Sequence, residues 1–282
     1  MNKLGPVKVG GSNPVRVMGI LNTSPESFYT KSIKKGKEIT RTVQQMEQEG
    51  ADFIDVGGMS TAPYLSTLIS EKQEIERITY AIKQIQRVSN LPISVDTCRA
   101  NVAKAALEFN IDIINDVTGL KYDKEMLNVV AKSQPSLVLC AYGKNQLRGN
   151  LLSQTKTLLK ESLALAKTAN ISKNNIVLDP AIGFFRKTGK NPFYTKINSD
   201  WYKRDMEVLQ NLSVLKLNFP TLVSVSNKSF IGKILDLPVE ERLEGSLAAL
   251  AYSIIQGANI ARVHDVKESV RVAKVVDSIL RG

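Results

Sequence analysis

Cysteine, histidine and tryptophan are almost missing: the 282 residues hold two Cys, one His and one Trp. Cys98 and Cys140 cannot build a disulfide framework, and with the lone His264 they cannot supply a four-ligand zinc site. This usage fits a reducing compartment, and a cytoplasmic protein is expected. The apolar run at residues 15–21 is too short for a secretory leader or a membrane span, so no membrane association is expected. Aromatic residues are 6% of the chain, too few for a base-stacking surface. The 38 Lys and Arg against 27 Asp and Glu, a net charge of +11, therefore point to a small anionic substrate and not to nucleic acid. Linkers and low-complexity tracts are also lacking, so residues 1–282 are expected to form a single domain.

What is present is an ordinary globular share of apolar residues, 43%, arranged as short Val/Ile/Leu runs alternating with longer amphipathic stretches. The runs at 15–21, 53–56, 93–95, 111–114, 137–139, 176–178, 222–225 and 260–263 read as strands. Helical patterns fill 38–49, 71–88, 99–109, 151–169, 201–212, 243–256 and 268–280. Three segments, 50–56, 110–117 and 257–266, look like copies of one unit: a helix end, a small or turn residue, a buried strand, then polar groups. Such a series predicts an α/β protein, a (β/α)8 TIM barrel, with a hairpin at 7–14 centred on Gly10-Gly11 before the first barrel strand. A doubly wound sheet is the alternative. Residues 179–201, punctuated by Gly183, Gly189, Pro192 and Asn198, read as a long loop after a strand, where barrels keep their chemistry.

The strand ends carry Asn22, Asp55, Asp96, Asn115, Asp179, Lys228 and the Arg262/His264 pair. Any one could be a helix cap. Taken together, three carboxylates and an amide suit either a metal cluster or a ring rich in N–H donors, such as a 2-amino-4-oxopyrimidine edge, with Lys228 as a donor to a ring carbonyl or nitrogen. Arg262 and His264 suit an anion clamp. His264 could instead be a core histidine, and a nucleophilic Cys–His pair has no support in the thiol surroundings.

Seven blocks in order, from Met18-Gly19-Ile20-Leu21-Asn22-Thr23-Ser24-Pro25-Glu26-Ser27-Phe28 through Asp55-Val56-Gly57-Gly58-Met59-Ser60-Thr61, Ser94-Val95-Asp96-Thr97, Ile114-Asn115-Asp116-Val117, Asp179-Pro180 to Phe184 and Ser226-Asn227-Lys228-Ser229-Phe230 to Arg262-Val263-His264-Asp265-Val266, resemble the signatures of the dihydropteroate synthase family. The resemblance implies a (β/α)8 barrel, a homodimer and a transferase joining a dihydropterin diphosphate to an arylamine with release of diphosphate. It implies that Asp96, Asn115, Asp179 and Lys228 hold the pterin. Asn22, Arg262 and His264 would hold the diphosphate, with Asn22 also meeting Mg²⁺. Ser229 and the loops carrying Phe28 and Thr61-Ala62-Pro63 would frame the arylamine. A methyltransferase acting between a reduced pterin and a corrinoid protein, and a non-catalytic pterin-binding paralogue, are the alternatives.

Departures from the family pattern gather on the arylamine side. Ala62 stands where Arg is usual, Asn227 where Arg precedes the lysine, and Tyr29-Thr30-Lys31 where glycines follow the first loop. Ala181 and Phe185 stand where Gly is common. Loss of a cation at position 62 suggests a relaxed acceptor, either p-aminobenzoate or a glycosylated aminobenzene as in tetrahydromethanopterin-type cofactors.

Overall fold

Alternation with a period of two sorts each strand's side chains into those that fill a barrel and those that meet its helices. In the computed structural model, which describes residues 1–24 and 36–281, parallel strands follow one another around such a barrel. They are β3 (Arg16–Asn22), β4 (Phe53–Gly57), β5 (Ile93–Asp96), β6 (Ile113–Asp116), β7 (Ser136–Cys140), β8 (Ile176–Asp179), β11 (Leu222–Val223) and β12 (Ile260–Val263). Strand β12 pairs with β3 and with β11, and a bridge between Leu178 and Thr221 brings β8 to the start of β11 and completes the ring. The helices α1 (Lys37–Glu49), α2 (Glu71–Ile85), α3 (Ala100–Leu107), α4 (Met126–Ser133), α5 (Leu151–Thr168), α6 (Trp201–Gln210), α7 (Leu212–Leu215), α8 (Ser229–Leu235), α9 (Leu243–Ile255) and α10 (Val266–Arg281) lie in the connections between strands or after the last one. Their apolar faces bury Ile39, Val43, Ile78, Ile82, Val102, Val130, Leu159 and Val208 against the strands.

Inside the barrel, Met18, Phe53, Ile113, Val138, Val177, Leu222 and Ile260 form one apolar layer. Two residues further along the same strands stand Ile20, Asp55, Asn115, Cys140, Asp179, Ser224 and Arg262, so the layer nearer the strands' C-terminal ends is mostly polar. The opposite end is plugged. A hairpin of β1 (Lys3–Leu4) and β2 (Val7–Lys8) inserts Leu4 and Val9 into the apolar layer, and the Gly5 amide donates to Ser136 Oγ at 2.9 Å.

That hairpin corrects the expectation at 7–14. Its turn is Gly5-Pro6, Gly5 having φ +54°, whereas Gly10 and Gly11 form a separate turn closed by the Asn13 amide on the Gly10 carbonyl. Most strands also run further than their last apolar residue, to Asn22, Gly57, Asp96, Asp116, Cys140 and Asp179. The strand expected at 111–114 starts and ends two residues later, so Asn115 belongs to the strand and not to the loop after it. The long loop after β8 holds two short strands, β9 (Phe185–Arg186) and β10 (Thr195–Lys196), paired in parallel. Helices α4, α7 and α8, of 8, 4 and 7 residues, were not expected either.

Candidate active site

Polar side chains at the barrel mouth satisfy one another. Asp55, fully buried, accepts from Ser94 Oγ at 2.5 Å, from Arg262 Nε at 2.6 Å and from Asn115 Nδ2 at 3.3 Å. Arg262 spans two strands, its Nη2 donating to Asp96 Oδ2 at 2.7 Å. Burial works against the guanidinium's charge, but Asp55 and Asp96 more than offset it and raise its pKa. The donor fork expected to clamp an anion is thus closed on two carboxylates.

Asp96 keeps one oxygen free. Oδ1 is buried with no hydrogen-bond partner, and burial pushes the carboxyl up to about 7 against the pull of Arg262. Asp179 is likewise raised by burial, while its Oδ1 accepts from the Ala181 amide at 2.7 Å. Lys228, just before α8, reaches in between these groups. Burial and Arg262 lower its pKa to about 8, and its Nζ sits 4.8 Å from the Phe184 ring centre. Its path is kept open by Gly183, φ +89°, where an added Cβ would lie 2.9 Å from Lys228 Cδ.

His264 stands beside Ser226, with Nδ1 3.0 Å from Oγ. That oxygen also accepts from the His264 amide at 3.3 Å. Burial, then Arg262 and Lys228, lower the imidazole to about 3, so the ring is a neutral donor.

One cleft brings together Asn22, Thr61, Pro63, Asp96, Lys228, Ser229, Arg262 and His264. Asn115 and Asp179 border it from the barrel interior through Asp55 and Lys228. Phe28, with Tyr29 and the lysines near it, lies outside the described residues. Sequence reasoning missed the lining residues Tyr64, Arg186 and Ser224, and the role of Ser94. Ser94 was legible through alternation with Asp96; Arg186 was hidden in a segment read as loop.

Distant residues set the loops over this cleft. The capping box of Ser70 and Gln73 starts α2 and places buried Glu74 where it accepts from Thr97 Oγ1 and Arg99 Nη1, both at 2.8 Å. The loop after β4 is tied to the loop after β9, since the Lys190 amide donates to the Pro63 carbonyl and Asn191 Nδ2 to the Ala62 carbonyl, both at 2.7 Å.

Ala181 takes φ +63°, a conformation costly for a residue with a Cβ. Two bonds hold it there, its amide on Asp179 and its carbonyl under Arg204 Nη1 at 3.0 Å. Asn227 also has positive φ, +57°, where Asn is tolerated, and its amide donates to Ser246 Oγ at 2.9 Å.

Among the described residues no cluster of three or more His, Cys, Asp or Glu could hold a metal, and no helix is long and apolar enough to cross a membrane.

Residues 18–264 match the family model described as pterin binding enzyme. The chain is 38% identical over 282 residues to a dihydropteroate synthase of Clostridium beijerinckii, covering 99% of each chain. Among solved structures, a dihydropteroate synthase from Clostridium difficile in the presence of pteroic acid is similar at a TM-score of 0.82 and 33% identity, over 96% of this chain and 98% of that one. The dihydropteroate synthase of Xanthomonas albilineans with 4-aminobenzoic acid gives 0.82 at 28% identity, over 96% and 95%.

Proposed function

Because this chain belongs to the pterin-binding enzymes, and within them to the dihydropteroate synthases, we propose that it condenses a 6-hydroxymethyl-7,8-dihydropterin diphosphate with an arylamine, releasing diphosphate in folate synthesis. The observation that carries this reading is the buried, unpartnered Oδ1 of Asp96, on a residue that lines a cleft whose other polar groups are cationic or neutral. A pterin edge offers the N–H donors such an oxygen lacks. Asp96, Asn115 and Asp179 would take those donors, and Lys228 would donate to a ring carbonyl or nitrogen.

The chemistry breaks the C–O bond between the pterin methylene and diphosphate, forms a C–N bond to the amine and releases one amine proton. The chain's part is to stabilise the leaving anion and hold the amine in line. Arg262 and neutral His264 would bind the diphosphate, Arg262 exchanging its carboxylates for phosphate oxygens. Asn22 offers one amide oxygen and no carboxylate cage, a donor set that fits Mg²⁺ held mainly through phosphate and water. That ion, when bound, would neutralise part of the leaving group's charge. The exposed apolar side chains of α9 and α10 favour a homodimer.

Diphosphate release from the dihydropterin diphosphate tests the reading. Release that requires p-aminobenzoate and falls at least a hundredfold in Lys228→Ala is expected. Binding of pterin without release under any arylamine would favour the non-catalytic alternative, and methyl transfer to a corrinoid would overturn the assignment.

A further inference from the structure

Helix α6 carries two adjacent charged residues into the core. Arg204 and Asp205 are both buried, with Arg204 Nη1 3.1 Å from Asp205 Oδ1. A buried ion pair is a weak device for stability, because desolvation offsets most of the attraction and apolar side chains of similar volume often serve as well. What apolar side chains cannot supply is directed hydrogen bonds, and here these converge on one short segment. Arg204 Nη2 donates to the Pro180 carbonyl at 2.6 Å and to Thr155 Oγ1 on α5 at 2.9 Å, while Nη1 donates to the Ala181 carbonyl at 3.0 Å. Asp205 Oδ2 accepts from the Gly183 amide at 3.0 Å. The guanidinium also stacks on the Phe185 ring, 3.6 Å from its centre.

That segment needs holding. Residues 180–183 run directly on from Asp179, and Ala181 sits at φ +63°, where a Cβ is costly. In this conformation the Ala181 amide reaches Asp179 Oδ1 at 2.7 Å, and Gly183 lies along the Lys228 chain with no room for a Cβ between them. Were Ala181 to relax to a right-handed or extended backbone, its amide would leave Asp179 and Gly183 would shift against Lys228. An acceptor and a cation of the pocket therefore take their places from one turn. Arg204, at 2% exposure, lies behind the residues that wall the cleft and fixes that turn from the helix side.

We propose that Arg204 is a positioning residue for pterin binding, which presets Asp179 and Lys228 by clamping the carbonyls of Pro180 and Ala181. This rests on the pterin reading above. It also accounts for Ala181 where Gly is common in the family: the guanidinium supplies from outside the turn the constraint under which a left-handed alanine is tolerated.

Calorimetry with 6-hydroxymethylpterin tests it, with a thermal melt of each variant to check folding. Arg204→Met fills the volume, leaves Asp205 beside Arg186 at 3.9 Å and removes the clamp. Pterin affinity is expected to fall about tenfold, the equivalent of freeing one left-handed residue that bears a Cβ. Ala181→Gly alone is expected to leave affinity within twofold. Combined with Arg204→Met, it is expected to restore affinity to within threefold of the unmodified protein, because glycine takes this φ without the guanidinium. A residue that merely fills the core would give a lower melting temperature with unchanged affinity, or a loss that Ala181→Gly does not relieve, and either result overturns the proposal. Should R204M not fold, Arg204→Lys keeps the charge beside Asp205 but brings one nitrogen to three acceptors. A three- to tenfold loss relieved by Ala181→Gly is then expected; unchanged affinity, or a loss the glycine does not relieve, overturns. An unmodified protein that binds no pterin overturns this proposal together with the pterin reading, whereas Arg204-dependent binding without condensation would sink the proposed activity alone.

Discussion

Asp96 is the residue on which the pH behaviour of this site turns. Its carboxyl is pushed up to about 7, chiefly by burial, and Lys228 is lowered to about 8. Protonated, the carboxyl offers a donor where a pterin also presents donors; ionised, it accepts. Pterin affinity should therefore rise with pH through about 7, roughly eightfold between pH 6 and 7.5 for a single group of that pKa, and fall again as Lys228 loses its charge above about 8. Calorimetric titration across this range checks it: Asp96→Asn should bind weakly and lose the acid limb, and a pH-independent affinity in the unmodified protein would refute the role. For the ligand-free protein the sign is reversed. Folded Asp96 keeps a proton that the unfolded chain releases, so its contribution to stability falls as pH rises from the usual carboxylate range to about 7. His264 at about 3 takes no part in either limb.

At the level of elements, the sequence made the barrel legible through its repeated strand-and-helix rhythm but misplaced the strand ends, and the two outcomes share a cause. Apolar runs mark where a strand meets helices and the inner apolar layer. In the polar layer the inward positions include Asp55 and Asn115, whose side chains are satisfied by partners far along the chain, such as Arg262 on Asp55 across 207 positions. Hydrophobic pattern cannot report those bonds. For the same reason the identities of Asn22, Asp96, Lys228, Arg262 and His264 could be read as a set of strand ends, while the carboxylate grip on Arg262 could not. The loop after β8 shows the limit for conformation. Ala181 holds positive φ because two hydrogen bonds compensate it, yet Gly183 cannot be replaced in the same way, since a Cβ there meets Lys228. Gly183→Ala should cost about 1–2 kcal/mol of stability from its left-handed backbone and weaken pterin binding at least tenfold by displacing Lys228. Thermal melts and pterin titration measure both. Lost stability with unchanged pterin affinity would mean that Lys228 finds another path and that Gly183 serves the turn alone.

For the whole molecule, the two ends of the barrel have opposite fates: the hairpin of β1 and β2 seals one, and the other holds the cleft. An assembly that keeps the enzyme working must therefore use the flank. There, α9 and α10 pack together and leave Tyr252 and Ile255, three residues apart on one, and Val275 and Ile279, four apart on the other, in solvent, with Ile279 75% exposed. Side chains three and four apart share a helix face, so each helix carries an apolar stripe, and a monomer rarely leaves such stripes uncovered. A second copy can cover them with the same stripes, in the self-complementary contact that a twofold axis produces. Sedimentation should accordingly give twice the 31.1 kDa of one chain. Ile279→Asp places a charge in the covered centre of that contact and should shift the protein to the monomer while leaving the fold intact, since Ile279 buries little against its own chain. A monomeric unmodified protein at micromolar concentration, or a dimer indifferent to Ile279→Asp, would show that this face is not where two copies meet.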